Sequence, residues 1–158
     1  MMAAANEYKL RGDGRPRLYE APYNRRVGAP FDQVILDACS AQPGVVAVYL
    51  FGSTARGSAG RGSDIDVAAL FEQAPPHRLD GPRFTLEGDL ERGLGRPVDL
   101  VVLNDAPVDL RARVLRGGRL LLDRDPSARI AFEVRTRNEA FDLEPVLARY
   151  RAARGQSR

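Results

Sequence analysis

The chain has 158 residues, of which 44% are hydrophobic and 28% charged, and carries a formal net charge of +3. That length supports one domain with its own core, and no apolar run is long enough to cross a bilayer. The basic excess lies at the ends: residues 31–148 hold 14 basic and 18 acidic side chains, which argues against a nucleic-acid surface on the core.

Residues 1–29 are rich in Arg, Gly and Pro without periodicity and are expected to form a flexible arm. This opening stretch lacks the apolar run of a signal peptide, and a single cysteine, Cys39, excludes an internal disulfide framework. Both features suit a cytoplasmic protein. A domain is expected over residues 30–150. Phe31, Val34, Ile35 and Ala38 repeat at i, i+3, i+4 and i+7, which predicts an amphipathic helix stopped by Pro43-Gly44. Cys39 lies near this stripe and reads as a small buried hydrophobe. Val45–Phe51 is a continuous apolar run, as in a strand covered on both faces. A short helix follows, with Ser53 or Thr54 near its start. Residues 60–62 form a loop, and Ser63–Phe71 a second strand.

A surface loop containing the only histidine, His77, leads to a helix in which Leu86, Leu90 and Leu94 are spaced by four. Pro97–Leu103 is a third strand, and the next helix ends at Gly117-Gly118. Residues 119–123 form a short fourth strand. Asp125-Pro126 opens a helix to about Phe141, and Pro145 opens another to Tyr150, before a basic tail over 151–158. Phe132, Phe141, Leu143, Val146, Leu147 and Tyr150 pack on the sheet or form part of a partner surface. Strands alternating with helices predict an α/β sandwich built on one mixed sheet.

Two carboxylates interrupt the second strand. Side chains alternate along a strand, so Asp64 and Asp66 share one face while Ile65 and Val67 enter the core. Two like charges that close repel unless a cation lies between them, and Mg²⁺ is a hard ion that prefers carboxylate oxygen and accompanies phosphate. Gly52 and Ser53 follow a buried strand and open a helix, where backbone N–H groups bind phosphate oxygens. Arg56 adds charge for a phosphate tail. Asp99, an acid near the start of another apolar strand, completes a trio: it binds a second metal or accepts the proton of an attacking hydroxyl. An exposed edge-strand face would account for Asp64 and Asp66, but not for the Gly-Ser turn or Asp99.

Gly52-Ser53, Ala55-Arg56-Gly57, Ser63-Asp64-Ile65-Asp66 and the distal Asp99 together resemble the minimal nucleotidyltransferases (MNT) of the DNA polymerase β-like nucleotidyltransferase superfamily. The resemblance covers Phe31 to Tyr150, and its specific part is Gly52–Leu70 with Asp99. It implies the polymerase β-like fold, a mixed central sheet of about four strands flanked by helices. It also implies that Gly52 and Ser53 hold the triphosphate, that Asp64 and Asp66 bind Mg²⁺, with two ions expected, and that Asp99 is the third acid and base. By the same resemblance the chain is expected to move AMP from ATP to a tyrosine of a HEPN-domain ribonuclease toxin, acting as its antitoxin. Two alternatives stay open: a small-molecule nucleotidyltransferase of the aminoglycoside type, and a non-catalytic antitoxin that neutralises by contact. Extension of nucleic acid is disfavoured by the acidic core.

Overall fold

The computed structural model describes residues 31–57, 63–76, 78 and 80–155, with the backbone alone from residue 144. The arm expected over 1–29, the 60–62 loop, His77 and the side chains of Val146, Leu147 and Tyr150 lie outside these residues. The elements run α1 (Phe31–Ala41), β1 (Val45–Leu50), α2 (Gly52–Arg56), β2 (Ile65–Phe71), α3 (Pro82–Leu94), β3 (Val98–Val102), α4 (Val108–Gly117), β4 (Arg119–Asp123) and α5 (Pro126–Gly155). No helix among the described residues is long and apolar enough to cross a membrane.

The four strands form one mixed sheet in the order β3-β2-β1-β4. β1 is antiparallel to β2 and β4, and β2 is parallel to β3. β1 is therefore internal and buried throughout, which is why its sequence is unbroken by polar residues. Helices α1 and α3 cover one face, packing Ile35, Leu86 and Leu90 on Ile65, Val67, Val98 and Leu100. Helices α4 and α5 cover the other, packing Val114 and Phe132 on Tyr49, Ala68 and Leu70. A register shift between Val45 and Ala47 lets Val46 and Ala47 join the same cluster despite being adjacent.

Most predicted elements are present within a residue or two. In α1 the buried centre is Ile35, Leu36 and Cys39, with Phe31 and Ala38 at its margin. Asp32 is buried as well, because the Arg119 guanidinium of β4 donates to both of its oxygens at 2.6 and 2.7 Å. The C-terminal half departs more. The two helices expected on either side of Pro145 are one helix, α5, which continues past Tyr150 to Gly155. Proline removes the N–H that would bond the carbonyl four residues back. Here that residue is Phe141, which is 76% exposed, so water can serve its carbonyl.

The register gives the sheet a defined working end. Leu50 pairs with Val67 and with Arg119, so β1 finishes where β2 and β4 begin, and β3 starts at the same end. α4 runs toward this end, because its C-cap Gly118 lies close to the Leu50 carbonyl. α5 begins beside Asp123, which pairs with Arg129 at 3.0 Å, and passes Tyr49, whose hydroxyl donates to Glu133 at 2.9 Å. It too advances toward the working end.

Candidate active site

Asp66 is the second residue of β2 and Asp99 the second of β3, and the two are register partners across the parallel pair. Neighbouring strands lie about 4.8 Å apart and register partners share a face, so the two carboxylates stand side by side. Their chain neighbours Ile65, Val67, Val98 and Leu100 are buried under α1 and α3. The acids therefore sit on the α4 and α5 face, half-buried at Asp66 and exposed at Asp99. Asp64 lies one residue before β2 and is exposed. β2 has a neighbour on each side, so Asp66 is not on the solvent face of an edge strand.

The turn after β1 is locked to Asp66. The Phe51 N–H donates to the Asp66 carbonyl at 3.0 Å. Gly52 then adopts φ +67°, and a Cβ placed on it would stand 2.0 Å from Asp66 Oδ2. Only glycine meets both demands, a left-handed backbone and contact with a carboxylate. α2 starts at this glycine with Ser53 as its second residue, and its N-cap, Phe51, offers no side-chain acceptor. Arg56 is exposed, and its charge opposes the acids at Asp66.

The electrostatics follow from this crowding. Burial pushes the Asp66 carboxyl above the usual range, and the charges of Asp99 and then Asp64 push it further, against Arg56. All three acids thus act on one point. The described residues contain no group of three His, Cys, Asp or Glu side chains already set to hold a metal ion. The donor set nevertheless fits a hard divalent cation: the charges of Asp99 and Asp64 both bear on the Asp66 carboxylate, and positive charge would offset the repulsion that raises it. Gly52 leaves the space beside Asp66 Oδ2 that a side chain would fill.

The structure adds supporting residues that the sequence did not suggest. The Arg96 guanidinium donates to the Ser63 carbonyl and stacks over the Phe31 ring at 5.6 Å, which fixes the backbone just before Asp64. The Ile65 N–H donates to the Pro97 carbonyl at 3.0 Å. Glu91 and Glu87 of α3 accept from the Val98 and Leu100 N–H groups at 3.2 and 3.4 Å, sealing the open edge of β3 on either side of Asp99. In the sequence these are an arginine in a loop and two glutamates of an amphipathic helix, with nothing to mark them. Cys39 is buried and its thiol is pushed up to about 12, chiefly by burial, which suits packing rather than nucleophilic chemistry. Phe132 packs on the sheet, whereas Phe141 is exposed.

A family model described as Polymerase beta, Nucleotidyltransferase matches residues 33–127. The fold is similar to a chain of a toxin–antitoxin crystallised with AMP-PNP, with a TM-score of 0.68 and 27% identity over 77% of this chain and 96% of that one. It is similar to a chain of a mutant MntA–HpeT toxin–antitoxin, with a TM-score of 0.64 and 25% identity over 77% and 96% of the two chains. A third likeness, in fold, is to a chain of the tri-AMPylated Shewanella oneidensis HEPN toxin in complex with MNT antitoxin, at 24% identity, a TM-score of 0.64, and coverage of 78% and 94%. A comparison with curated proteins finds no match. The family match takes in Gly52, Ser53, Arg56 and all three acids at the working end of the sheet, and the chain belongs to the polymerase beta nucleotidyltransferase family.

Proposed function

We propose that this protein moves AMP from ATP onto a tyrosine of a HEPN-domain ribonuclease toxin and thereby acts as its antitoxin, with residues 30–150 as the nucleotidyltransferase unit. The observation that carries the chemistry is the register pairing of Asp66 with Asp99 beside Gly52. The toxin–antitoxin setting and the nucleotide donor are suggested by likeness to a toxin–antitoxin chain solved with AMP-PNP over 77% of this chain.

In this reading Asp64 and Asp66 hold Mg²⁺, with Asp99 within reach of the same charge. The ion would supply neutralising charge for the triphosphate. Gly52 and Ser53 receive the phosphates at the start of α2, where the helix dipole favours negative charge. Arg56 offers its charge to the phosphate tail. Asp99 accepts the proton of the tyrosine hydroxyl as its oxygen bonds to the α-phosphorus. The bond from that phosphorus to the bridging oxygen breaks, and pyrophosphate leaves. Asp99 suits the base role because it is the most open of the strand-borne acids and is tied to Asp66 only by register.

The test is co-expression with a HEPN-domain ribonuclease toxin, followed by intact-mass spectrometry of that protein. A gain of one or more AMP units is expected with the wild type and none with Asp66→Asn. A partner of unchanged mass in a stable complex would make this a binding antitoxin. AMP appearing on an added aminoglycoside alone would make it a small-molecule enzyme.

A further inference from the structure

A groove of about 730 Å³ lies between α4 and α5, and none of the three acids lines it. Its floor is apolar, made by Val108, Ala112 and Leu115 of α4 and Ala140 and Leu143 of α5. Its rim carries three exposed arginines, Arg113, Arg116 and Arg137, against one aspartate, Asp109. Asp109 already faces Arg113 at 3.9 Å, and Arg137 lies 3.5 Å from Glu133. Arg116 has no ion pair among the described residues. The groove thus presents uncompensated positive charge over an apolar floor.

One wall continues as a stripe. Ile130, Val134, Arg137 and Phe141 recur at i, i+4, i+7 and i+11 on α5, a single helical face. Ile130, Val134 and Phe141 are 50%, 49% and 76% exposed. From Ile130 to Phe141 the stripe is about 16 Å long at 1.5 Å per residue. A compact small molecule would fill the groove and leave that stripe bare. A partner helix of about three turns covers both. The groove also lies on the face of the sheet that carries the acids, and both of its helices advance toward the working end.

The geometry points to this groove as the docking site of the protein substrate, occupied by an amphipathic helix whose apolar face is flanked by acidic residues. This rests on the transfer reaction proposed above and adds to it where the acceptor protein is gripped. Docking there puts the partner on the reacting face while leaving the Gly52 turn and the acids to the nucleotide. Arg116, Arg137 and Phe141 then govern capture of the protein and not the chemistry.

The probe is the HEPN-domain ribonuclease toxin of the co-expression test, tested against the full chain carrying Phe141→Asp or the pair Arg116→Glu and Arg137→Glu. These side chains are exposed, and an unchanged melting temperature with the same Mg²⁺-ATP-induced rise establishes folding and nucleotide binding. Each variant is expected to weaken partner binding by about tenfold or more, as for a central interface contact, and to raise KM for AMP transfer while leaving kcat near wild type. The charge variant is also expected to flatten the salt dependence of binding. Wild-type transfer matched by both variants would overturn the groove and leave the reaction standing. Loss of binding in the variants with no transfer by the wild type would overturn the reaction and leave the groove. A wild-type dimer that Phe141→Asp converts to monomer would give the groove to a second copy of this chain, and absence of both binding and transfer would remove both proposals.

Discussion

At Gly52 a single backbone torsion and a single contact decide what the site can be. The left-handed φ of +67° costs an L residue about 1–2 kcal/mol. A methyl group there would also meet Asp66 Oδ2 at 2.0 Å, and the carboxylate, as the movable partner, would swing away. Gly52→Ala is expected to lower stability by about 1–2 kcal/mol in denaturant melts and to abolish Mg²⁺-dependent transfer; retained activity would show that the carboxylate need not stand there. At Asp66 the sign runs the other way. Its carboxyl is raised by burial, then by Asp99 and Asp64, so the folded state holds this proton more tightly than the unfolded chain. That contribution is present at low pH and is lost as pH climbs from the ordinary carboxylate range through the raised value. In metal-free buffer Asp66→Asn is therefore expected to melt no lower than wild type at neutral pH, with the gap in its favour opening as pH climbs out of the ordinary carboxylate range and levelling off above the raised value. Transfer by that variant is expected to fall by roughly a hundredfold or more, since several kcal/mol of charge stabilisation goes with the ligand. A marked drop in its melting temperature at neutral pH would mean that Asp66 serves the fold.

Among the elements, buried ion pairs tie helices to the sheet. Arg119 of β4 and Asp32 of α1 form a bidentate pair, with side chains 11% and 4% exposed. Tyr49, Glu133, Arg129 and Asp123 link β1, β4 and α5. Burial works against the charge on Arg129, but bonds from Asp123 and Glu133 outweigh it and hold the guanidinium firmly protonated. Burial, with Glu133 next, likewise keeps the Tyr49 hydroxyl protonated as a donor. Breaking such a pair strands a charge in the interior. Asp32→Ala is expected to cost about 3–5 kcal/mol by chemical denaturation, and adding Arg119→Met is expected to recover much of it. If the single and double variants were equally unstable, the pair would not be what joins α1 to β4.

Across the molecule, two faces of one sheet do different work. The α1 and α3 face is closed apolar packing. The other carries the acids at its working end and the open groove between α4 and α5. A ligand that bridges the Gly52 turn and the carboxylates binds only the folded chain, so it must stabilise it. At a hundredfold excess over its dissociation constant, Mg²⁺-ATP is expected to add about 2.7 kcal/mol, seen as a rise in melting temperature that EDTA reverses. No rise at any nucleotide concentration would contradict a triphosphate site at this end.

Local chemistry made the site legible in the sequence: a glycine-serine turn after an unbroken apolar strand, two acids at strand spacing, and a third acid opening another strand. These signals survive in one dimension because each depends on neighbours within a few residues, through strand alternation and the geometry of a helix start. The strand order, the Asp66–Asp99 register and the pressure of Gly52 on Asp66 depend on residues far apart in the chain, and only packing sets them. The same holds for buried Asp32, whose charge is tolerable only because Arg119 arrives from the far side of the sequence, and for Arg96, which looks solvated until it meets the Ser63 carbonyl. Pro145 misled for the complementary reason: it signals a helix start locally, yet the residue four back, Phe141, is exposed, and one helix passes through the proline. Chemistry carried by residue type and short spacing is written in the sequence; which distant groups share one face and one dielectric is decided by the fold.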